Sequence, residues 1–259
     1  MAYSLVTGAT GVLGKEFCRQ LVKTDNLFLT GRSIEKLQAL KEELLTVRQN
    51  AKILIFPADL TDFSQRENLF KFADEQGVKF GGAFLVAGVD TQKAFEKYTQ
   101  EKIAFQIRVN LESTIAITHG VLSRREKDFK LLAVASTCGL VPMPYFAIYS
   151  ATKSAVINFF SALRYEVKDA KITVLIPGSI PTREDVKKDI ELQGWTGKLS
   201  AKSPEFVVEK GLKALEKNKA KVVPGAFNKM VYFFQKITPA FIKNAIIAKK
   251  FKNKEKDAF

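Results

Sequence analysis

The sequence predicts an α/β fold: a doubly wound parallel sheet of about seven strands, helices on both faces, and an amphipathic helical extension at the C-terminal end. Three observations predict it. Short apolar runs recur along the chain, too short for buried helices and apolar on both faces. Segments with apolar residues at three- and four-residue spacing separate them. Most of the runs are followed by Gly, Asp, Ser or Pro, where a strand gives way to a loop.

The runs are Tyr3 to Thr7, Leu27 to Thr30, Ile53 to Phe56, Ala83 to Ala87, Leu131 to Ala135 and Ile172 to Ile176. Leu37, Leu40, Leu44 and Val47 mark one of the intervening helices. Right-handed crossovers then leave a ligand crevice beyond the carboxyl ends of the strands. Residues 178 to 202, with Gly, Pro, Thr and charge but weak periodicity, read as a mobile loop with a short helix. A helix over Pro204 to Lys217 and a short strand around Val222 and Val223 follow.

From Phe227 the pattern changes. Met230, Val231, Phe234 and Ile237 recur at helical spacing, and Pro239 interrupts. A second piece carries Phe241, Ile242, Ala245 and Ile246, with Lys243, Lys249, Lys250, Lys252, Lys254 and Lys256. The chain thus divides into residues 1–225 and a basic, amphipathic tail, 226–259. The tail has three readings: packing on the parent domain or across a dimer, covering an apolar substrate pocket, or peripheral contact with an anionic membrane.

With 259 residues, 46% of them hydrophobic, the chain is long enough for one large domain with a sizeable core. Two distant cysteines, Cys18 and Cys138, speak against a disulfide framework and a CxxC metal site, so no metal is expected. Met1 to Gly8 run straight into a strand and a glycine turn, and no stretch is apolar for long enough to span a bilayer. A cytoplasmic setting is expected, extending at most to a membrane surface. The net charge of +14 suits an anionic partner, but nothing resembles a helix-turn-helix, zinc finger or RNA-stacking signature, so nucleic acid is not expected.

The first loop carries the cofactor signal. In Val6-Thr7-Gly8-Ala9-Thr10-Gly11-Val12-Leu13-Gly14 the glycines let the turn reach positive φ and let the backbone approach phosphate. The helix N-terminus then offers N–H groups and a positive dipole end to a pyrophosphate. Gly8, Thr10, Gly11, Val12, Leu13 and Gly14 are the candidate contacts. The second strand ends in Thr30-Gly31-Arg32-Ser33, with no acid for a ribose diol. Arg32 suits a 2′-phosphate instead, so NADP(H) is preferred, with NAD(H) as the alternative.

Tyr149 and Lys153 lie one helical turn apart on one face. A phenol with a pKa of about 10 is a poor acid–base at neutrality, and a neighbouring ammonium brings it towards the working range. Hydride transfer to a carbonyl makes an alkoxide that needs a positioned proton donor, a role that fits Tyr149. Ser136, at the end of the fifth strand, can hydrogen-bond the substrate oxygen. Asn110, in the helix after the fourth strand, can hold a water that passes protons to Lys153.

These ordered motifs resemble the short-chain dehydrogenase/reductase superfamily, in its single-domain, Rossmann-type branch. The resemblance covers roughly residues 3 to 223. It is carried by Thr7-Gly8-x-x-Gly11-x-x-Gly14, Asp59-Leu60, Ala87-Gly88, Asn110, Ser136, Tyr149-x-x-x-Lys153 and Pro177-Gly178-x-Ile180-x-Thr182. It implies a tetrad of Asn110, Ser136, Tyr149 and Lys153, with Lys153 also holding the nicotinamide ribose. It further implies that Asp59 binds the adenine amino group, that Pro177 to Thr182 frame the nicotinamide, and that the protein is a homodimer or homotetramer. Two departures stand out. The glycine spacing looks like the longer, nucleotide-sugar-modifying branch, and Leu85-Val86-Ala87-Gly88 replaces the usual Asn-Asn-Ala-Gly.

The reading is an NADP(H)-dependent oxidoreductase acting on an apolar carbonyl or alcohol: a ketone, an aldehyde or a 3-oxoacyl compound. A non-catalytic dinucleotide-binding regulatory protein and a sugar-nucleotide epimerase or dehydratase are the alternatives. Three further residues are assigned as follows: His119 as a satisfied structural histidine, Cys138 as a small buried filler or pocket lining, and Trp195 as part of a lid.

Overall fold

In the computed structural model, which describes residues 2–182, 184–192, 194–252 and 256–257, the alternating pattern becomes strands and helices in the expected order. The first half runs β1 (Ala2–Thr7), α1 (Val12–Leu21), β2 (Asn26–Gly31), α2 (Ile34–Val47), β3 (Ile53–Pro57), α3 (Phe63–Glu75) and β4 (Lys79–Leu85). After a two-residue strand β5 (Thr91–Gln92) come α4 (Gln100–Ile107), a π-helical turn (Arg108–Glu112) and α5 (Ser113–Leu122). The chain continues with β6 (Arg125–Val134), a 3-10 turn (Thr137–Leu140), α6 (Ala147–Glu166) and β7 (Lys171–Leu175). The last part holds α7 (Glu184–Leu192), α8 (Gly194–Ser200), α9 (Pro204–Glu216), β8 (Lys221–Val222), α10 (Ala226–Ile237), α11 (Ala240–Phe251) and β9 (Lys256–Asp257).

Seven strands form one parallel sheet in the order β3-β2-β1-β4-β6-β7-β8. Strand order runs outward in both directions from the β1–β4 pair, so the crevice opens beyond the ends of these two strands. The two-residue period sends neighbouring side chains to opposite faces. Leu5, Phe28, Ala83, Leu131 and Ile172 pack with α3, α5 and α6 residues such as Leu69, Ile117 and Phe160. Val6, Leu29, Phe84, Leu132 and Leu175 pack with Phe17, Leu40 and Val208 of α1, α2 and α9. Each such burial contributes about 1.5–3 kcal/mol, which is why these strands are apolar on both faces. Side-chain caps fix several helix starts: Ser33, Asp62, Thr99 and Ser203 accept from Lys36, Gln65, Lys102 and Phe206 N–H groups.

Several expectations change. The fourth strand ends at Leu85, because the Val86 and Ala87 N–H groups turn to donate to Thr7 Oγ1 at 3.0 and 3.2 Å. Residues 178 to 202, expected as a loop with one short helix, contain both α7 and α8, separated at Gly194 (φ +60°). Asn110 sits in the π-turn that joins α4 to α5, not in regular helix. A strand pair off the main sheet, β5 with β9, was not anticipated: Thr91 pairs with Asp257 and Gln92 with Lys256. Lys254 of the basic tail lies outside the described residues.

Candidate active site

The loop after β1 is built for close approach. Gly8 has φ +63°, and a Cβ there would stand 2.9 Å from Ala87 Cα. A Cβ at Gly14 would stand 2.1 Å from the Gly8 carbonyl oxygen, so the first turn of α1 packs directly on the loop. The helix starts at Gly11 with no side-chain cap and no acid in its first turn. The N–H groups of Val12 and Leu13 therefore present the positive end of the helix to the crevice, an arrangement that fits a dinucleotide pyrophosphate.

Around it the other cofactor candidates divide. Arg32 is exposed at the end of β2. Thr10 reaches the same edge, its Oγ1 3.3 Å from where a Cβ on Gly31 would be. Ser33 is engaged locally: its hydroxyl caps α2 and donates to Glu35 Oε2 at 2.7 Å. Asp59 Oδ1 accepts from the Thr61 N–H and hydroxyl at 2.9 and 2.8 Å. Leu60 belongs to the core and offers the crevice no side chain, while its carbonyl accepts from Arg66 at 2.7 Å.

Two of the candidate catalytic residues meet at Gly88. A Cβ there would lie 3.1 Å from Lys153 Nζ and 3.3 Å from Asn110 Oδ1. Asn110 is fully buried, and its amide holds both backbone groups of Val89: Oδ1 accepts from Val89 N at 2.8 Å and Nδ2 donates to Val89 O at 2.9 Å. The same Nδ2 lies 3.2 Å from Thr152 Oγ1 on α6. Lys153 is buried and donates to the Val134 carbonyl at 3.0 Å. Burial pushes its pKa down to about 8, with the Asp90 carboxylate acting in the opposite sense. Its ammonium stands 5.8 Å from the centre of the Tyr149 ring. Ser136 is buried and its Oγ accepts from Cys138 N at 3.1 Å.

The Pro177–Thr182 loop is tied to this cluster. Pro177 O accepts from Thr137 N at 2.9 Å, next to Ser136. Gly178 leaves room for Asn228, whose Nδ2 would be 2.7 Å from a Cβ at that position. Asn228 in turn donates to Ser200 O and Pro224 O, both at 2.9 Å. Ile180 packs on the core beside β7 and α9, and Thr182 N donates to Ile180 O at 2.7 Å. A cleft of about 450 Å³, lined by Gly139, Val141, Met143, Ala147 and Ala151, opens beside α6 and the turn after Ser136.

Sequence reasoning missed four contributors: Thr7, Val89, Asp90 and Thr152. Thr7 and Thr152 lie inside quoted motifs, but their hydroxyl partners are set by the fold. Asp90 had one signal, an acid two residues beyond Gly88. His119 is exposed on α5. Cys138 is half-buried, and burial raises its thiol pKa. Trp195 is 70% exposed on α8, its ring 6.4 Å from that of Phe227.

The sheet order, the uncapped glycine turn and the cluster at its edge together define a nucleotide-binding oxidoreductase frame. The short chain dehydrogenase family model matches residues 3–192, and the chain belongs to that family. It is 28% identical over 247 residues to 11-beta-hydroxysteroid dehydrogenase-like 2 of Arabidopsis thaliana, covering 92% of this chain and 78% of that one. Very-long-chain 3-oxoacyl-CoA reductase of Laccaria bicolor is 31% identical over 67% of this chain, which spans about half (52%) of that relative's length. Three further hydroxysteroid dehydrogenase-type relatives are spanned over 60 to 66% of theirs. A solved structure from work on 7beta-hydroxysteroid dehydrogenase stereoselectivity superposes with a TM-score of 0.85 at 22% identity, covering 95% of this chain and 96% of that one. This last likeness speaks to fold alone.

Proposed function

We propose that the protein is an NADP(H)-dependent reductase of an apolar carbonyl compound, or the dehydrogenase of the corresponding alcohol, with Tyr149 as general acid and base. One observation carries the reading. The buried Asn110 amide holds Val89 from both sides while Lys153, buried beside it, turns its ammonium to the face of the Tyr149 ring.

When bound, the nicotinamide supplies or takes the hydride. The chain's own residues do the rest. The open N–H groups of α1 hold the pyrophosphate, and Arg32 meets the 2′-phosphate with charge-assisted hydrogen bonds. Ser136 directs its hydroxyl to the substrate oxygen and stabilises the charge that develops there. Tyr149 gives its proton to that oxygen in reduction and takes one back in oxidation. Lys153 stabilises the resulting phenolate, and Asn110 fixes the backbone of residues 88 to 90 beside the ammonium. The hydroxysteroid and 3-oxoacyl relatives support an apolar substrate.

The test is an NADPH-oxidation screen over ketones, aldehydes and 3-oxoacyl thioesters, with NADH in parallel, on the wild type and on Arg32→Ala. The expected result is turnover with an apolar carbonyl, NADPH preferred, and a narrowed preference in the variant. Cofactor binding without turnover of any carbonyl would favour the regulatory alternative. Tightly held, non-exchanging cofactor would favour an epimerase.

A further inference from the structure

The last helices leave an apolar face open. On α10, Met230, Phe233 and Phe234 are 48%, 62% and 53% exposed, and on α11, Phe241 and Ile246 are 75% and 62% exposed. Leu192 at the end of α7 and Trp195 and Leu199 of α8 are exposed too, and Trp195 packs edge-on against Phe227 at the start of α10. Large exposed apolar side chains that the chain itself does not cover mark an interaction surface.

Charge decides what covers it. From Ala226 to Lys252 the chain has no Asp or Glu and six lysines: Lys229, Lys236, Lys243, Lys249, Lys250 and Lys252. Lys229, Lys249 and Lys252 are exposed, as is Lys198 on α8. A second copy set face to face would bring lysines against lysines, and such like-charge contacts are costly. An anionic bilayer offers the reverse: rings enter the headgroup boundary while lysines reach lipid phosphates. Among the described residues no helix is long and apolar enough to cross a membrane. The fit is to a helix pair lying in the interface.

We propose that the exposed apolar side chains of α8, α10 and α11 dock on an anionic membrane surface. The same extension reaches the mouth of the candidate site. Phe251, at the end of α11, packs edge-on against Phe146 at 5.9 Å, and Phe146 lies 5.8 Å from Tyr149. Docking therefore holds the mouth of the site near the lipid boundary.

The experiment is co-sedimentation of the full chain with vesicles of phosphatidylcholine alone or mixed with phosphatidylserine, at low and high salt. It compares the wild type with the double variant Phe233→Glu/Phe241→Glu and needs no substrate, so its outcome is independent of the proposed reaction. The wild type should bind the anionic vesicles at least about tenfold better than the neutral ones, the equivalent of about 1.4 kcal/mol, and salt should weaken this. The variant should lose that binding with an unchanged melting temperature, because both rings are already in solvent. Equal binding of wild type and variant, or no preference for anionic lipid, would overturn the proposal. So would light scattering that finds a wild-type dimer which the variant splits, since a second copy would then cover the face.

Discussion

The crevice at the β1–β4 edge and the C-terminal helices are opposite solutions to placing polar and apolar groups. At the crevice, polar groups are buried and held: Asn110 and Lys153 lie out of solvent with named partners at 2.8 to 3.2 Å. On α10 and α11, large apolar groups stand in solvent, among them Phe233 and Phe241. Buried polar groups persist only when satisfied, and exposed apolar clusters only when something else covers them. The first region is fixed by the fold, and the second is the face proposed to meet a membrane.

The comparison is open to attack in order of effect. Phe84 is buried between α1 and the sheet, with its ring 5.7 Å from that of Phe17, so Phe84→Ala should cost about 3–5 kcal/mol. In urea titrations of the two variants, Phe241→Ala should stay within about 0.5 kcal/mol of the wild type. Comparable losses at both positions would mean that the tail is part of the folded core. Asn110→Leu should cost about 1–3 kcal/mol, because Val89 loses partners on both backbone groups, and should lower kcat through the loosened 88 to 90 loop. A variant as stable and as active as the wild type would remove Asn110 from the positioning scheme.

The smallest effect is a pH dependence. Lys153 titrates at about 8 instead of its ordinary 10.5, so its ammonium is lost as pH rises through about 8, and the rate of carbonyl reduction should fall there. The sign for stability is opposite. Between about 8 and 10.5 the unfolded chain binds more protons at this lysine than the folded one, so this group's contribution to stability rises with pH. Asp90→Asn removes the carboxylate that favours the charged lysine and should move the fall in rate to lower pH. A profile that does not move would show that Asp90 does not act on Lys153.

Much of the frame was legible because strand burial and helix amphipathicity are written in local periodicity. The six apolar runs and the short strand near Val222 became the seven strands of the parallel sheet. Tyr149, Lys153, Ser136 and Asn110 were legible as motif residues, and the fold brings Lys153 and Asn110 together at Gly88. The π-turn at Asn110 was not legible, since residues 108 to 112 read as ordinary helix and only the packing against Val89 and Thr152 selects the wider turn. Helices α7 and α8 were hidden by Gly194, Gly197 and their short lengths. The pairing of β5 with β9 joins segments too far apart in sequence for any local pattern to mark. That Ser33 also caps α2 and that the Leu60 side chain packs in the core depend on the fold and were not legible either.

The central claim is that Tyr149 moves the proton at a site whose cofactor hold is built elsewhere, in the glycine turn and its helix. Measuring carbonyl turnover and NADPH affinity side by side in Tyr149→Phe tests it most directly. The account predicts a loss of at least about a hundredfold in kcat, the lower end for a positioned acid–base group, with NADPH binding nearly unchanged. A variant that keeps its turnover would contradict it.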